Sequence, residues 1–125
     1  MILSIDFDSE EPIYSQIRNE IVKGIAIGEL EDGDDLPSVR SLAVSIGVNM
    51  HTVNKSYNAL KEEGFIQIDK RKGAFISLNL KDTTKNYKYK LEREFEIRVA
   101  ECYARGIKKE ELVNLIEKEY DKFNK

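Results

Sequence analysis

Residues 36–68 read LPSVRSLAVSIGVNMHTVNKSYNALKEEGFIQI, and this run predicts a helix, a tight turn, a second helix and a strand. Ser38 stands where a helix N-cap is expected, and apolar residues follow it at helical spacing through Ile46. Gly47 can end this helix, because glycine accepts the left-handed backbone conformation. Asn49 can then cap a second helix. The spacing therefore predicts two helices joined by a short glycine turn.

The second of these helices has an apolar side and a polar side. Val53, Tyr57 and Leu60 form an inward stripe at helical spacing. The opposite side carries polar groups and no bulky hydrophobic ones, namely those of His51, Asn54, Lys55 and Asn58. This combination is typical of a helix-turn-helix, whose second helix can lie in the major groove of DNA.

Three motifs in order resemble the GntR family of bacterial transcription regulators. PIYSQIRNEI begins at Pro12, LPSVR begins at Leu36, EGFI begins at Glu63, and the similarity extends to Ile76. The short extension after residue 80 is similar to that of the YtrA-type subfamily. The resemblance implies an N-terminal winged helix-turn-helix that binds operator DNA as a dimer.

The resemblance also implies which residues contact DNA. The arginine of the LPS-x-R motif, here Arg40, contacts DNA in relatives, and recognition-helix positions such as His51 touch bases and phosphates. The amide of Asn54 can pair with N6 and N7 of adenine, and Thr52 suits a phosphate contact. In isolation, such side chains are more often simply solvated, so the assignment depends on the helix-turn-helix context. The predicted DNA-binding residues are Ser38, Arg40, Asn49, Met50, His51, Thr52, Asn54, Lys55, Lys70, Arg71, Lys72 and Gly73.

The rest of the chain reads as further helices and a β-hairpin. A first helix is predicted from Pro12 to about Gly28, with isoleucines four residues apart on its buried side. Residues 65–68 and 74–78 alternate as two strands, and the basic loop between them, residues 70–73, is the predicted wing. Residues 79–86 are predicted to be a polar hinge. Two more helices, about 86–105 and 109–123, are expected to follow.

We therefore expect two domains and a mainly α fold with a small β-hairpin. Residues 1–80 are the predicted winged helix-turn-helix domain, and residues 81–125 are the predicted helical dimerisation extension. The two C-terminal helices carry apolar stripes that a helical hairpin cannot bury alone. The alternative is that they fold back on the winged domain, but a dimer is favoured because such proteins usually read two half-sites by symmetry. The predicted dimer-interface residues are Tyr87, Leu91, Phe95, Val99, Leu112, Ile116 and Tyr120.

The net charge of −3 looks unfavourable for DNA binding until it is divided along the chain. Residues 1–36 hold two basic and ten acidic side chains, whereas residues 37–80 hold six basic and three acidic ones. Residues 81–125 hold twelve basic and ten acidic side chains. The positive excess of the middle segment therefore falls on the part of the chain that is predicted to meet phosphates.

Several classes of protein are disfavoured by the composition. The single Cys102 has no partner for an intramolecular disulfide and no neighbours at zinc-binding spacing. The sequence has no apolar run of about 18 residues and no signal-like segment. One histidine without a nucleophile motif, a metal cluster or a phosphate loop argues against an enzyme. We expect a cytoplasmic protein that has no cofactor and no membrane partner.

The favoured interpretation is a sequence-specific DNA-binding transcription regulator, a repressor that binds an inverted-repeat operator as a homodimer. The YtrA-type resemblance further implies control of ABC-transporter genes. The alternative is a winged-helix protein-interaction module without DNA-binding activity, which should expose apolar residues on the outer face of its second helix. No residue pattern identifies a small-molecule effector.

Overall fold

The computed structural model describes residues 3–124, which form five helices and one two-stranded sheet. Within this range, residues 3–80 form one compact unit and residues 81–124 form a second. In chain order the elements are α1 (Ile13–Ile27), α2 (Val39–Ile46), α3 (Met50–Glu63), β1 (Ile66–Asp69), β2 (Gly73–Ile76), α4 (Lys81–Ala104) and α5 (Lys109–Phe123).

The core of the first unit forms where α1, α2 and the sheet meet α3. Of the four isoleucines that the spacing predicted on the buried side of α1, Ile17 and Ile21 are fully buried, and Ile13 and Ile25 are partly buried against the core. Arg18 lies on the same helix and makes a two-point ion pair with Glu63, with nitrogen–oxygen distances of 2.7 and 3.0 Å. The buried apolar set is Ile17, Ile21, Leu36, Leu42, Ala43, Val53, Tyr57, Leu60, Ile66, Ala74 and Ile76.

Local capping sets the boundaries of α2 and α3. The Ser38 side chain accepts a hydrogen bond from the backbone N–H of Ser41, and the Asn49 side chain accepts one from that of His51. Both predicted N-caps are therefore confirmed. Gly47 ends α2 with a φ of 74°, a left-handed conformation that favours glycine. Together these caps produce the predicted short turn between the two helices.

A segment that no sequence pattern predicts as a strand pairs with the free edge of the sheet. β1 and β2 are antiparallel, with Ile66 opposite Ile76. Residues 33–36 lie along the other edge of β2, where the Ile76 N–H donates to the Asp34 carbonyl at 2.8 Å and the Leu36 N–H donates to the Ala74 carbonyl at 2.9 Å. The loop before α2 is therefore attached to the wing by backbone hydrogen bonds.

The predicted hinge over residues 79–86 is wrong for most of its length, because α4 begins at Lys81. Its first turn contains Asp82, whose negative charge is favourable near a helix N-terminus. Thr83 and Thr84 are weaker helix formers than alanine by less than about 0.7 kcal/mol each, and neither removes a backbone donor as proline would. A polar composition was therefore mistaken for a break in the helix.

The second unit consists of α4 and α5, joined by residues 105–108. Gly106 has a φ of 78°, and the Ile107 N–H donates to the Cys102 carbonyl at 2.9 Å, so a glycine turn ends α4. No described residue of this unit is buried, and only Thr83, Cys102, Ile107 and Leu112 are partly buried. Among the helices of residues 3–124, none is both long and apolar enough to cross a lipid bilayer.

Candidate nucleic-acid interface

The outer face of α3 is polar and lies over a completely buried stripe. Val53, Tyr57 and Leu60 are each 0% exposed, which fixes the opposite side of the helix toward solvent. His51, Asn54, Lys55 and Asn58 are all exposed there, and Thr52 is partly buried. Met50 adds an apolar side chain at the first position of the helix, where it is 45% exposed. The side chains predicted to read bases are therefore presented together on one helix.

The two N-cap residues have part of their hydrogen-bonding capacity already in use. Asn49 Oδ1 accepts from the His51 N–H at 2.6 Å, and Ser38 Oγ accepts from the Ser41 N–H at 3.1 Å. The Asn49 amide nitrogen and the Ser38 hydroxyl proton are the groups that these side chains can still donate to DNA. Arg40, two residues after Ser38, is exposed in the first turn of α2.

A carboxylate organises the turn at the tip of the wing. Asp69 Oδ1 accepts from the Arg71 N–H at 2.6 Å and from the Lys72 N–H at 3.2 Å. These backbone hydrogen bonds hold the pKa of the Asp69 carboxyl below its usual value, with a smaller contribution from the Lys72 charge. The Lys70, Arg71 and Lys72 side chains are exposed around this turn. Gly73 follows with a φ of 82° and begins β2.

Two long-range hydrogen bonds connect the sheet, the start of α2 and the middle of α3. The Leu36 N–H donates to the Ala74 carbonyl at 2.9 Å, and the Tyr57 hydroxyl donates to the Pro37 carbonyl at 2.7 Å. Tyr57 is fully buried, and burial raises the pKa of its phenol. Pro37 directly precedes the α2 N-cap. The three groups of predicted DNA-binding residues therefore belong to one hydrogen-bonded framework.

Sequence reasoning missed two contributors to this site. Lys55 Nζ lies 4.0 Å from the centre of the Tyr14 ring, although Tyr14 belongs to α1. Lys72 Nζ lies 4.8 Å from the centre of the Phe75 ring in β2. Lys72 and Phe75 are only three residues apart in the chain, whereas Tyr14 and Lys55 are brought together only by the packing of α1 on α3.

Within residues 3–124, no group of three or more His, Cys, Asp or Glu side chains is arranged to hold a metal ion. In the acidic loop before α2, two carboxylates accept hydrogen bonds from backbone N–H groups. Asp32 Oδ1 accepts from the Leu78 N–H at 2.9 Å, and Asp34 Oδ2 accepts from the Glu31 N–H at 2.8 Å. These two aspartates therefore stabilise the loop before α2 and the backbone that follows β2.

Known proteins similar to this chain are transcription regulators. The family model described as bacterial regulatory proteins, gntR family, matches residues 13–76. The HTH-type transcriptional repressor YtrA of Bacillus subtilis is 42% identical over 66% of this chain, which spans 63% of that repressor. The uncharacterized HTH-type transcriptional regulator YhcF of the same organism is 34% identical over 86% of this chain and 88% of the relative.

Solved structures agree with the sequence matches. YtrA from Sulfolobus acidocaldarius, a GntR-family transcription factor, has a TM-score of 0.59 and 45% identity, covering 74% of this chain and 99% of its own. A transcriptional antiterminator from Listeria monocytogenes has a TM-score of 0.81 and 27% identity, covering 94% and 89%. The AraR DNA-binding domain in complex with operator ORX1 has a TM-score of 0.55 and 25% identity, covering 60% and 96%.

These matches confirm the predicted winged helix-turn-helix fold and a regulatory role in place of an enzymatic one. They agree with a framework that presents one polar helix face beside a basic wing. The chain belongs to the GntR family of bacterial regulatory proteins and is a DNA-binding transcription regulator.

Proposed function

We propose that the protein is a repressor that binds an inverted-repeat operator as a homodimer, with the N-terminal half of α3 in the major groove. The observation that carries this proposal is the outer face of α3. Its exposed polar side chains lie over a stripe that is 0% exposed, so the helix cannot rotate to bury them. A helix of this kind can present its amides and cations to base edges and phosphates.

The same face favours DNA over a protein partner. The centre of a protein-interaction surface is expected to be rich in apolar or aromatic side chains. Here the exposed set is His51, Asn54, Lys55 and Asn58, and Met50 is the one large apolar side chain exposed on α3. The protein-interaction module is therefore the second candidate. It would be favoured only if the wild-type protein did not bind DNA.

The proposed contacts divide into base reading and phosphate binding. Asn54 is assigned to adenine through its two-point amide, and His51 is assigned to a neighbouring base or phosphate. Thr52 and Arg40 are assigned to the sugar–phosphate backbone of the DNA. The wing cations are assigned to phosphates or the minor groove, because they are exposed on a projecting turn that can approach the DNA backbone. They are Lys70, Arg71 and Lys72, followed by Gly73.

The homodimer is proposed from the apolar side chains of the second unit. Tyr87, Leu91 and Phe95 follow one another at four-residue spacing on α4 and are 60, 44 and 48% exposed. On α5, Ile116 is 43% exposed and Tyr120 is 66% exposed. Covering such faces with a second copy would remove apolar area from water and would provide the symmetry that an inverted repeat requires. Val99 and Leu112 complete the proposed interface.

The sign and the target of regulation are proposed from similarity alone. The B. subtilis relative YtrA is named a transcriptional repressor, and repression is carried over from it to this chain as a proposal. Control of ABC-transporter genes is proposed on the YtrA-type resemblance. A DNA-binding regulator of chromosomal genes would act in the cytoplasm.

Selected binding from a random DNA pool, followed by a footprint on the selected site, tests the proposal. The expected result is two half-sites whose centres lie about 10 bp, or a multiple of that, apart. Sedimentation of the whole chain should give a dimer. The fragment ending at Leu80 is the matched control, since every buried apolar residue in the described range 3–124 lies between Ile17 and Ile76. It should fold, sediment as a monomer and bind the full operator about 10²–10⁴-fold more weakly.

Three outcomes would contradict parts of this proposal. Selection of no DNA sequence at all would favour the protein-interaction module. A monomeric whole chain that protects one asymmetric site would refute the homodimer and would favour helices that fold back on the winged unit. Stronger transcription of a reporter gene in cells that carry the protein would reverse the proposed sign of regulation.

A further inference from the structure

A lysine on the proposed DNA-binding face is stacked on a tyrosine from another helix. Lys55 Nζ lies 4.0 Å from the centre of the Tyr14 ring, a close distance for a cation–π interaction. Tyr14 is in the first turn of α1 and is partly buried, whereas Lys55 is exposed on α3. The contact therefore lies at the edge of the α3 outer face, where α1 packs against it.

The backbone of Tyr14 is held by a partly buried hydrogen bond from Ser56, the residue after Lys55 on α3. Ser56 is 0% exposed, and its hydroxyl donates to the Tyr14 carbonyl at 2.7 Å. Lys55 and Ser56 thus both contact Tyr14, one through its ring and the other through its backbone. Because Ser56 cannot leave the core, this hydrogen bond fixes the Tyr14 backbone, and the Tyr14 ring extends from it to the Lys55 ammonium group.

This arrangement changes what Lys55 can do. A free lysine side chain loses much rotational freedom when it is immobilised on a ligand, and that loss weakens binding. The ring restricts the side chain in advance and occupies one side of the ammonium group. An ammonium has three N–H donors, so donors remain on the solvent side for a phosphate oxygen.

We propose that Tyr14 is a positioning residue that holds Lys55 as a preorganised phosphate clamp beside the base-reading face of α3. The inference rests on the proposed function, because it requires α3 to meet DNA. The same arrangement recurs on the wing, where Lys72 Nζ lies 4.8 Å from the Phe75 ring. Two of the cations assigned to DNA are therefore supported by aromatic rings before DNA arrives.

Loss of the ring and loss of the cation should affect the affinity for DNA and its salt dependence differently. Lys55→Ala should lower the slope of log K against log salt by about 0.9, because one phosphate contact is lost. Tyr14→Leu should leave that slope unchanged, since Lys55 is still present, and should weaken binding about two- to fivefold. Tyr14→Phe keeps the ring and should bind like the wild type.

A double-mutant cycle on the selected operator tests the inference. The Tyr14→Leu loss should disappear in the Lys55→Ala background. Lys23→Ala is the matched control, because Lys23 is exposed on α1, nine residues from Tyr14 and on the opposite side of that helix, and it should leave both affinity and slope unchanged. A Tyr14→Leu loss that persists in full without Lys55 would overturn the inference. So would a Tyr14→Phe loss equal to that of Tyr14→Leu, since the hydroxyl would then be the active group.

A measurement without DNA separates this inference from the proposed function. In the NMR spectrum of the free protein, the Lys55 ε-methylene protons should be shifted upfield by the Tyr14 ring current. Tyr14→Leu should abolish that shift, and Tyr14→Phe should keep it. Absence of the shift in the wild type would refute the stacking itself, whereas a present shift in a protein that selects no DNA would refute the proposed function.

Discussion

Removing the hydroxyl of Tyr57 should destabilise the winged unit without changing its core volume. Tyr57 is 0% exposed, and its hydroxyl donates to the Pro37 carbonyl at 2.7 Å. Tyr57→Phe deletes this bond and leaves a partly buried carbonyl without that donor. A net hydrogen bond contributes about 0.5–1.5 kcal/mol, and an unsatisfied partner adds to the loss. We therefore expect a decrease of roughly 1–2 kcal/mol in the free energy of unfolding.

Urea denaturation at a fixed protein concentration measures this change, since a dimer would make the midpoint concentration-dependent. For a unit of this size the expected loss corresponds to a melting temperature about 5–15 °C lower. Tyr103→Phe is the matched control, because Tyr103 is 85% exposed and the same substitution there should leave stability unchanged. An unchanged unfolding free energy for Tyr57→Phe would refute the reasoning.

The pH dependence supplies a second readout for the same residue. Burial raises the pKa of the Tyr57 phenol in the folded state. Above the usual tyrosine pKa of about 10, the unfolded chain therefore releases a proton that the folded chain retains, and stability falls as pH rises. Tyr57→Phe should reduce that alkaline loss. An identical alkaline profile for wild type and variant would mean that Tyr57 is not protected from ionisation.

Three further predictions concern DNA binding and the wing. Asn54→Ala should cost roughly 1–3 kcal/mol on the selected operator and little on random DNA, and equal losses on both would show that Asn54 reads no base. Replacing all three wing cations with alanine should lower the salt slope of binding by about 0.9 per phosphate contact, and an unchanged slope would mean that the wing points away from DNA. These cations are Lys70, Arg71 and Lys72. Because the Asp69 pKa is lowered in the folded state, the wing turn should stay ordered above the usual aspartate pKa and lose order as pH falls through the lowered value. The Arg71 amide resonance reports this loss, and an Asp69→Asn variant with the wild-type acid profile would contradict it.

Local sequence patterns were enough to predict α2 and α3 and the turn between them. Ser38 and Asn49 cap their own helices through N–H groups two or three residues away, so their roles can be read from neighbouring residues. The inward stripe of Val53, Tyr57 and Leu60 follows from helical periodicity alone. The same local reasoning failed at residues 81–86, because polar residues with modest helix propensity do not by themselves end a helix.

The contacts that organise the candidate site join residues far apart in the chain. Ser56 and Tyr14 are 42 residues apart, and Tyr57 and Pro37 are 20 residues apart. No periodicity or capping rule relates such positions, since their proximity depends on how α1 packs on α3. The pairing of residues 33–36 with β2 was missed for the same reason.

The sequence by itself determined that this chain has a helix-turn-helix with a polar outer face and a basic hairpin loop after it. Those properties depend on the spacing of side chains within one or two helical turns or within a single strand. Only the tertiary structure decided that Lys55 stacks on Tyr14 and that the segment before α2 is bonded to the wing. The physical reason is that these contacts join segments far apart in the chain, which meet only because both pack on a common core. Buried Ser56 holds α3 against α1 beside the Lys55–Tyr14 contact, and buried Leu36 holds the segment before α2 beside the wing.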